Sequence, residues 1–151
     1  MRWLRKCLQL QPHDFQLLII ALLVLNAARL GLYLLPFQTV YQQLMKVASL
    51  LAQINARAVK RIEIARLRWA IETISRRLPY PPKCLARALT MQVLLRWQGH
   101  PNQIQIGVAK NQSGQLEAHA WVESNGKVVI GQVSNLSQYI PLPALEERIL
   151  Q

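Results

Sequence analysis

The chain has 151 residues, enough for one domain with a sizeable core or one domain plus a helical arm. Its 18 Lys and Arg against 7 Asp and Glu give a formal charge of +11, which favours an acidic partner. Nucleic acid is not the expected one, because the chain has no RNP-like aromatic motif, no zinc-finger spacing and no Gly-rich phosphate loop. Two cysteines, Cys7 and Cys84, do not make a disulfide framework, and a reduced cytoplasm is the simplest compartment. His13, His100 and His119 stand at no metal-ligand spacing, so neither a metal nor a cofactor is expected.

Residues 15–37, FQLLIIALLVLNAARLGLYLLPF, predict a strongly apolar helix. Its uninterrupted apolar run covers only residues 17–25, short of the ~20 needed to span a bilayer, and Asn26 and Arg29 follow. Three readings stay open: a helix buried against the core or a partner, a membrane-associated helix, or an export signal led by Arg2, Arg5 and Lys6. Pro36 ends it. Residues 38–78 contain neither Pro nor Gly and predict further helix, as two segments meeting near Asn55. In the second segment Ile64, Leu67, Ile71, Ile74 and Leu78 recur at helical spacing as one apolar stripe, with Arg57, Lys60, Arg61, Arg66, Arg68, Arg76 and Arg77 over much of the rest.

Pro79, Pro81 and Pro82 stop that helix and introduce another over about residues 83–98. Leu85, Ala88, Leu89 and Leu95 mark its buried side, and Gly99 and Pro101 its end. The period then changes from helical to alternating. Ile104, Ile106 and Val108 predict a half-buried strand. Leu116, Ala118, Ala120 and Val122 alternate with Glu117, His119, Trp121 and Glu123 in a second, with His119 on the face away from the aliphatic side. "SNG" at residues 124–126 is a hairpin turn, "KVVIGQ" a third strand, and residues 144–150 a short amphipathic piece. The layout is α+β: a helical N-terminal region over 1–60 and a core over 61–151 that ends in a small antiparallel sheet.

A cysteine in the first turn of a helix meets the positive end of the macrodipole, which favours the reactive thiolate. The N–H groups of that turn are also placed to hold the oxyanion of a tetrahedral intermediate. Cys84 has that position and reads as a nucleophile; His119 reads as its base. An inert buried thiol and a strand histidine satisfied by its neighbours are the bland readings of the same residues. A group that orients the imidazole is harder to find, since Asp14 is the one aspartate and lies far upstream. A two-residue turn sets Gln132 opposite His119; a three-residue turn sets Gly131 there. Glu123 shares the face of His119 but stands four residues, about 13 Å, along the strand. Gln132 acting as a neutral amide, or a dyad held by backbone or water, both remain open.

"RRLPYPPKCLARALTMQVLLRWQGHPNQIQIGVAK" followed by "LEAHAWVESNGKVVIG" resembles the leader peptidases of lasso-peptide biosynthesis, stand-alone B-type processing proteases with a transglutaminase-like, papain-like core. The signals are "LARAL" after the cysteine at the helix start, "RWQG", "IGV" and above all "AHAWVE", over about residues 62–139. The resemblance implies a cysteine endopeptidase that removes the leader from a ribosomal precursor peptide. It implies two partners, a separate leader-recognition protein and a macrolactam synthetase. Cys84 matches the family nucleophile and His119 the family base. The family aspartate falls where this chain has Gly131 and Gln132, a departure that also fits a non-hydrolytic acyl-transfer enzyme or a pseudoenzyme scaffold. The helical first half lacks the early strands of a leader-recognition domain, which implies the stand-alone form.

Overall fold

The structure, a computed structural model, describes residues 12–57 and 60–143. Cys7, the basic residues of the export-signal reading and the 144–150 piece lie outside the described residues. Among the described residues four helices come first: α1 (Pro12–Leu34), α2 (Phe37–Asn55), α3 (Ile64–Ser75) and α4 (Cys84–Trp97). Strands β1 (Gln103–Lys110), β2 (Leu116–Ser124) and β3 (Lys127–Ile130) follow, then a 3₁₀ turn at Leu136–Gln138 and the two-residue strand β4 (Ile140–Pro141). All described strands pair antiparallel in the order β3-β2-β1-β4, so the architecture is α+β, as the sequence predicts.

Helix α4 is the centre of the packing. It lies against α1, α2 and α3 and also against β1, β2 and β3. Its sequence predicts one buried side, but every residue from Ala86 to Leu95 except Arg87 is buried, because helices and sheet cover it together. The small side chains of Ala86 and Ala88 suit that close packing, and the polar side chains swept in with them are partly partnered, with Gln92 Oε1 buried and without a hydrogen bond. Thr90 Oγ1 donates to the Ala86 carbonyl (2.7 Å), and Gln92 Nε2 donates to the Tyr41 hydroxyl (3.3 Å). The helix ends at Gly99, whose φ of +71° suits a residue without Cβ, and the His100 N–H closes onto the Leu95 carbonyl at 2.9 Å.

Beyond that end the chain grips the segment entering α3. Gln98 Oε1 accepts from the Ile62 N–H (2.9 Å), Arg61 donates to the Gly99 carbonyl (3.1 Å), and the His100 ring bonds the Ile62 carbonyl (2.7 Å). His100, which reads from the sequence as a surface turn residue, is thus half-buried and joins two elements.

Helix α1 is long and apolar enough to cross a membrane by length and composition alone. Leu17, Ala21, Leu25 and Ala28 form a buried stripe at helical spacing, and Asp14 pairs with Arg66 of α3. Phe15, Ile19, Leu23, Leu30 and Tyr33 lie exposed on its other faces. Leu17 to Ala48 of the first two helices share one hydrophobic cluster with Leu67, Leu89, Val122 and Ile130, so the core runs across residue 60 without a break.

The hairpin between β2 and β3 turns through Asn125 (φ +51°) and Gly126 (φ +74°), both with positive φ as a two-residue type I′ loop requires. Pairing begins as Ser124↔Lys127 and Glu123↔Val128, then jumps to Val122↔Ile130, so one extra residue is bulged into β3. β3 ends there, two residues sooner than "KVVIGQ" predicts.

Candidate active site

Cys84 is the first residue of α4. Pro81 and Pro82 lead into it, and Lys83, in extended conformation (φ −64°, ψ 157°), takes the capping position without a side-chain cap. The first backbone bond of the helix joins the Arg87 N–H to the Lys83 carbonyl at 3.2 Å. The N–H groups of Cys84, Leu85 and Ala86 precede that bond and have no partner within the helix. The Cys84 thiol is free and half-buried.

His119 lies on β2 opposite Gly107 of β1. Cys84 and His119 line one cleft of about 160 Å³. Arg68 and Glu72 of α3, Arg87 of α4, and the run from Val128 to Val133 complete its walls. Two guanidinium side chains and one carboxylate side chain therefore line it. Glu72 stands 3.9 Å from Arg68 and 3.9 Å from Arg76, and the buried Nε of Arg87 has no hydrogen-bond partner.

The imidazole is held on three sides. Its Nε2 lies 2.6 Å from the carbonyl oxygen of Gly131. A carbonyl only accepts, so Nε2 carries the proton, and in the neutral ring the lone pair is on Nδ1. Trp121, two residues along the same face, stacks on the ring with centroids 6.2 Å apart and planes at 19°. Tyr139 lies across it at 5.4 Å and 48°. Trp121 is itself fixed: its Nε1 donates to Glu123 Oε1 (2.9 Å), and it lies so close over Gly107 that a Cβ there would stand 2.9 Å from the indole.

The sequence offers Gln132 as one candidate to orient His119, and the hydrogen bonds differ. The Gln132 amide is exposed and donates to the Val133 carbonyl at 3.3 Å, although the residue borders the cleft. The ring is tied to the backbone of Gly131 instead. The physical reason is the bulge: it shifts the register and ends β3, so no β3 residue pairs with His119. Gly131 then turns with φ of +86°, and an added Cβ would lie 2.7 Å from the Ala120 carbonyl and 2.8 Å from Trp121 Cβ. Only glycine fits that turn.

Sequence reasoning on its own missed Gly131 as a hydrogen-bonding group, the aromatic pair Trp121 and Tyr139, and the Arg68, Glu72 and Arg87 wall. Trp121 was reachable from its two-residue spacing to His119, and Arg87 from its three-residue spacing to Cys84. Of the other histidines, His13 is exposed at the start of α1 and His100 binds Ile62; neither lines the cleft.

No curated protein and no solved structure matches the chain significantly. A family model does, over residues 23–144, a span that takes in the C-terminal half of α1 and all of α2 to β4. Among the described residues, four helices and a four-stranded antiparallel sheet agree with that match. The chain belongs to the transglutaminase-like superfamily, whose members are generally cysteine peptidases or acyltransferases.

Proposed function

We propose that this protein is a cysteine endopeptidase that removes the leader from a lasso-type ribosomal precursor peptide. One relation carries the reading: Cys84 at the start of α4 and His119 line a common cleft, and the Nε2 bond to Gly131 leaves Nδ1 as the basic nitrogen. Nδ1 takes the thiol proton as Sγ attacks the carbonyl carbon of the last leader residue. The oxyanion is held by the N–H groups that open α4. Collapse breaks the C–N bond, His119 returns the proton to the leaving amine of the core peptide, and the leader stays as a thioester on Cys84. Water, deprotonated by His119, then releases the leader acid and restores the thiol. A separate leader-binding protein presents the precursor in the cytoplasm, and a macrolactam synthetase closes the freed core.

The neutral carbonyl behind His119, in place of a carboxylate, favours a second reading, a non-hydrolytic acyl-transfer enzyme or precursor-holding scaffold. A carbonyl stabilises an imidazolium less than an anion does. Incubation of a candidate precursor with the protein, with and without the leader-binding partner, separates the two by mass spectrometry. Endopeptidase action gives two fragments whose masses sum to the precursor plus one water. A precursor left intact under both conditions rejects it.

A further inference from the structure

A second and larger cavity flanks the first turn of α4. It has a volume of about 760 Å³, in the range that takes a ligand the size of a short peptide. Its walls include Asn26, Arg29 and Tyr33 from the C-terminal half of α1, and Tyr80, Pro81 and Lys83 from the approach to Cys84. Lys83 and Ala86 face this groove, while Cys84 and Arg87 face the cleft with His119. Each pair is spaced by three residues, so the two depressions flank adjacent sides of one helix turn, with Cys84 on the cleft side and its neighbour Lys83 on the groove side.

We infer that this groove binds the leader side of the substrate, the residues just before the scissile bond, and selects a segment that carries a carboxylate beside an apolar or aromatic side chain. The inference rests on the peptidase reading above and adds the direction and chemistry of the bound peptide. Direction follows from the proton. His119 must deliver it to the leaving nitrogen, so the amine half of the substrate lies over the His119 cleft, and the acyl half runs the other way across the helix start. The groove is what lies there.

Its chemistry follows from the lining. Arg29 and Lys83 are its charged residues, no acid shares the walls, and neither has an ion-pair partner among the described residues. Tyr33 and Tyr80 are 86% and 74% exposed, large for aromatic rings at a groove rim, and offer apolar faces with polar tips. Cations and exposed aromatic rings lining one groove complement an acidic residue next to an apolar one.

Fluorescence anisotropy tests this on the Cys84→Ala full chain, which cannot turn the probe over. The probes are two fluorescein-labelled 12-residue peptides from the leader side of the candidate junction, identical except for Glu or Lys at one position. The Glu peptide is expected to bind about 10-fold more tightly, from a gained attraction on one side and a repulsion on the other. Arg29→Glu is expected to reverse that preference. Tyr33→Ala, at a site too exposed to matter for folding, is expected to weaken both peptides alike. Equal binding of the two peptides, or a preference that survives Arg29→Glu in a variant that melts normally, overturns the inference. The readout is binding alone, so a protein that cleaves but shows no charge preference rejects the groove and spares the peptidase reading; the converse result does the opposite.

Discussion

His119 Nε2 and the carbonyl oxygen of Gly131 lie 2.6 Å apart, and that bond leaves Nδ1 as the nitrogen with the lone pair. A backbone carbonyl here takes the place of an orienting side chain, and its direction depends on a positive φ that only glycine holds comfortably. Gly131→Ala is therefore expected to displace the ring and lower cleavage by about 100-fold, the scale of a ~1 Å misplacement. Gln132→Ala, whose amide serves only Val133, is expected to change kcat by less than about threefold, or under ~0.7 kcal/mol of barrier. Steady-state kinetics on both variants decides the matter; a severe loss in Gln132→Ala alone would return the orienting role to that side chain.

Replacing the sulfur tests the nucleophile. Cys84→Ala keeps a good helix former in the first turn and is expected to melt like the wild type while losing all cleavage. His119→Ala is expected to lose about 10²–10⁴-fold, the usual contribution of general acid–base catalysis. Iodoacetamide adds a second measurement. Alkylation of Cys84 is expected to slow in His119→Ala, and equal rates in the two proteins would uncouple thiol and imidazole.

The aromatic pair around His119 makes a separable prediction. Tyr139→Leu removes one ring contact without touching the Gly131 bond. Aromatic contacts contribute about 0.5–1.5 kcal/mol, so kcat is expected to fall about 2- to 10-fold with KM unchanged. A rise in KM with constant kcat would instead put Tyr139 on the substrate.

For α1 the question is which of its faces the fold needs. Deleting residues 15–37 removes Leu17, Ala21, Leu25 and Ala28 from the common core and is expected to abolish cooperative thermal unfolding. Ile19→Gln with Leu23→Gln alters only the uncovered face, where the side chains are 56% and 65% exposed, and is expected to leave Tm within about 2 °C. Fractionation of that double variant then reports on membrane association without the confusion of an unfolded chain.

How much of this was legible beforehand varied with the range of the interaction responsible. Proline placement around Cys84 and the Gly99 stop gave α4 to within a residue at each end, because helix boundaries are set by neighbours. Alternation gave β1 and β2, and Asn125–Gly126 gave the hairpin turn. Burial of α4 on all sides was not legible, since one apolar stripe looks the same whether the opposite face meets water or a sheet.

Composition and local spacing by themselves determined the α+β order of elements and singled out Cys84 and His119, since turn chemistry, capping and periodicity act over a few residues. Tertiary structure alone decided that β3 bulges and stops at Ile130, that Gly131 offers its carbonyl to the imidazole, and that a groove opens beside Lys83. Those features depend on strand register and on packing between elements far apart in the chain, where the fit of one surface to another, and not any local preference, fixes the outcome.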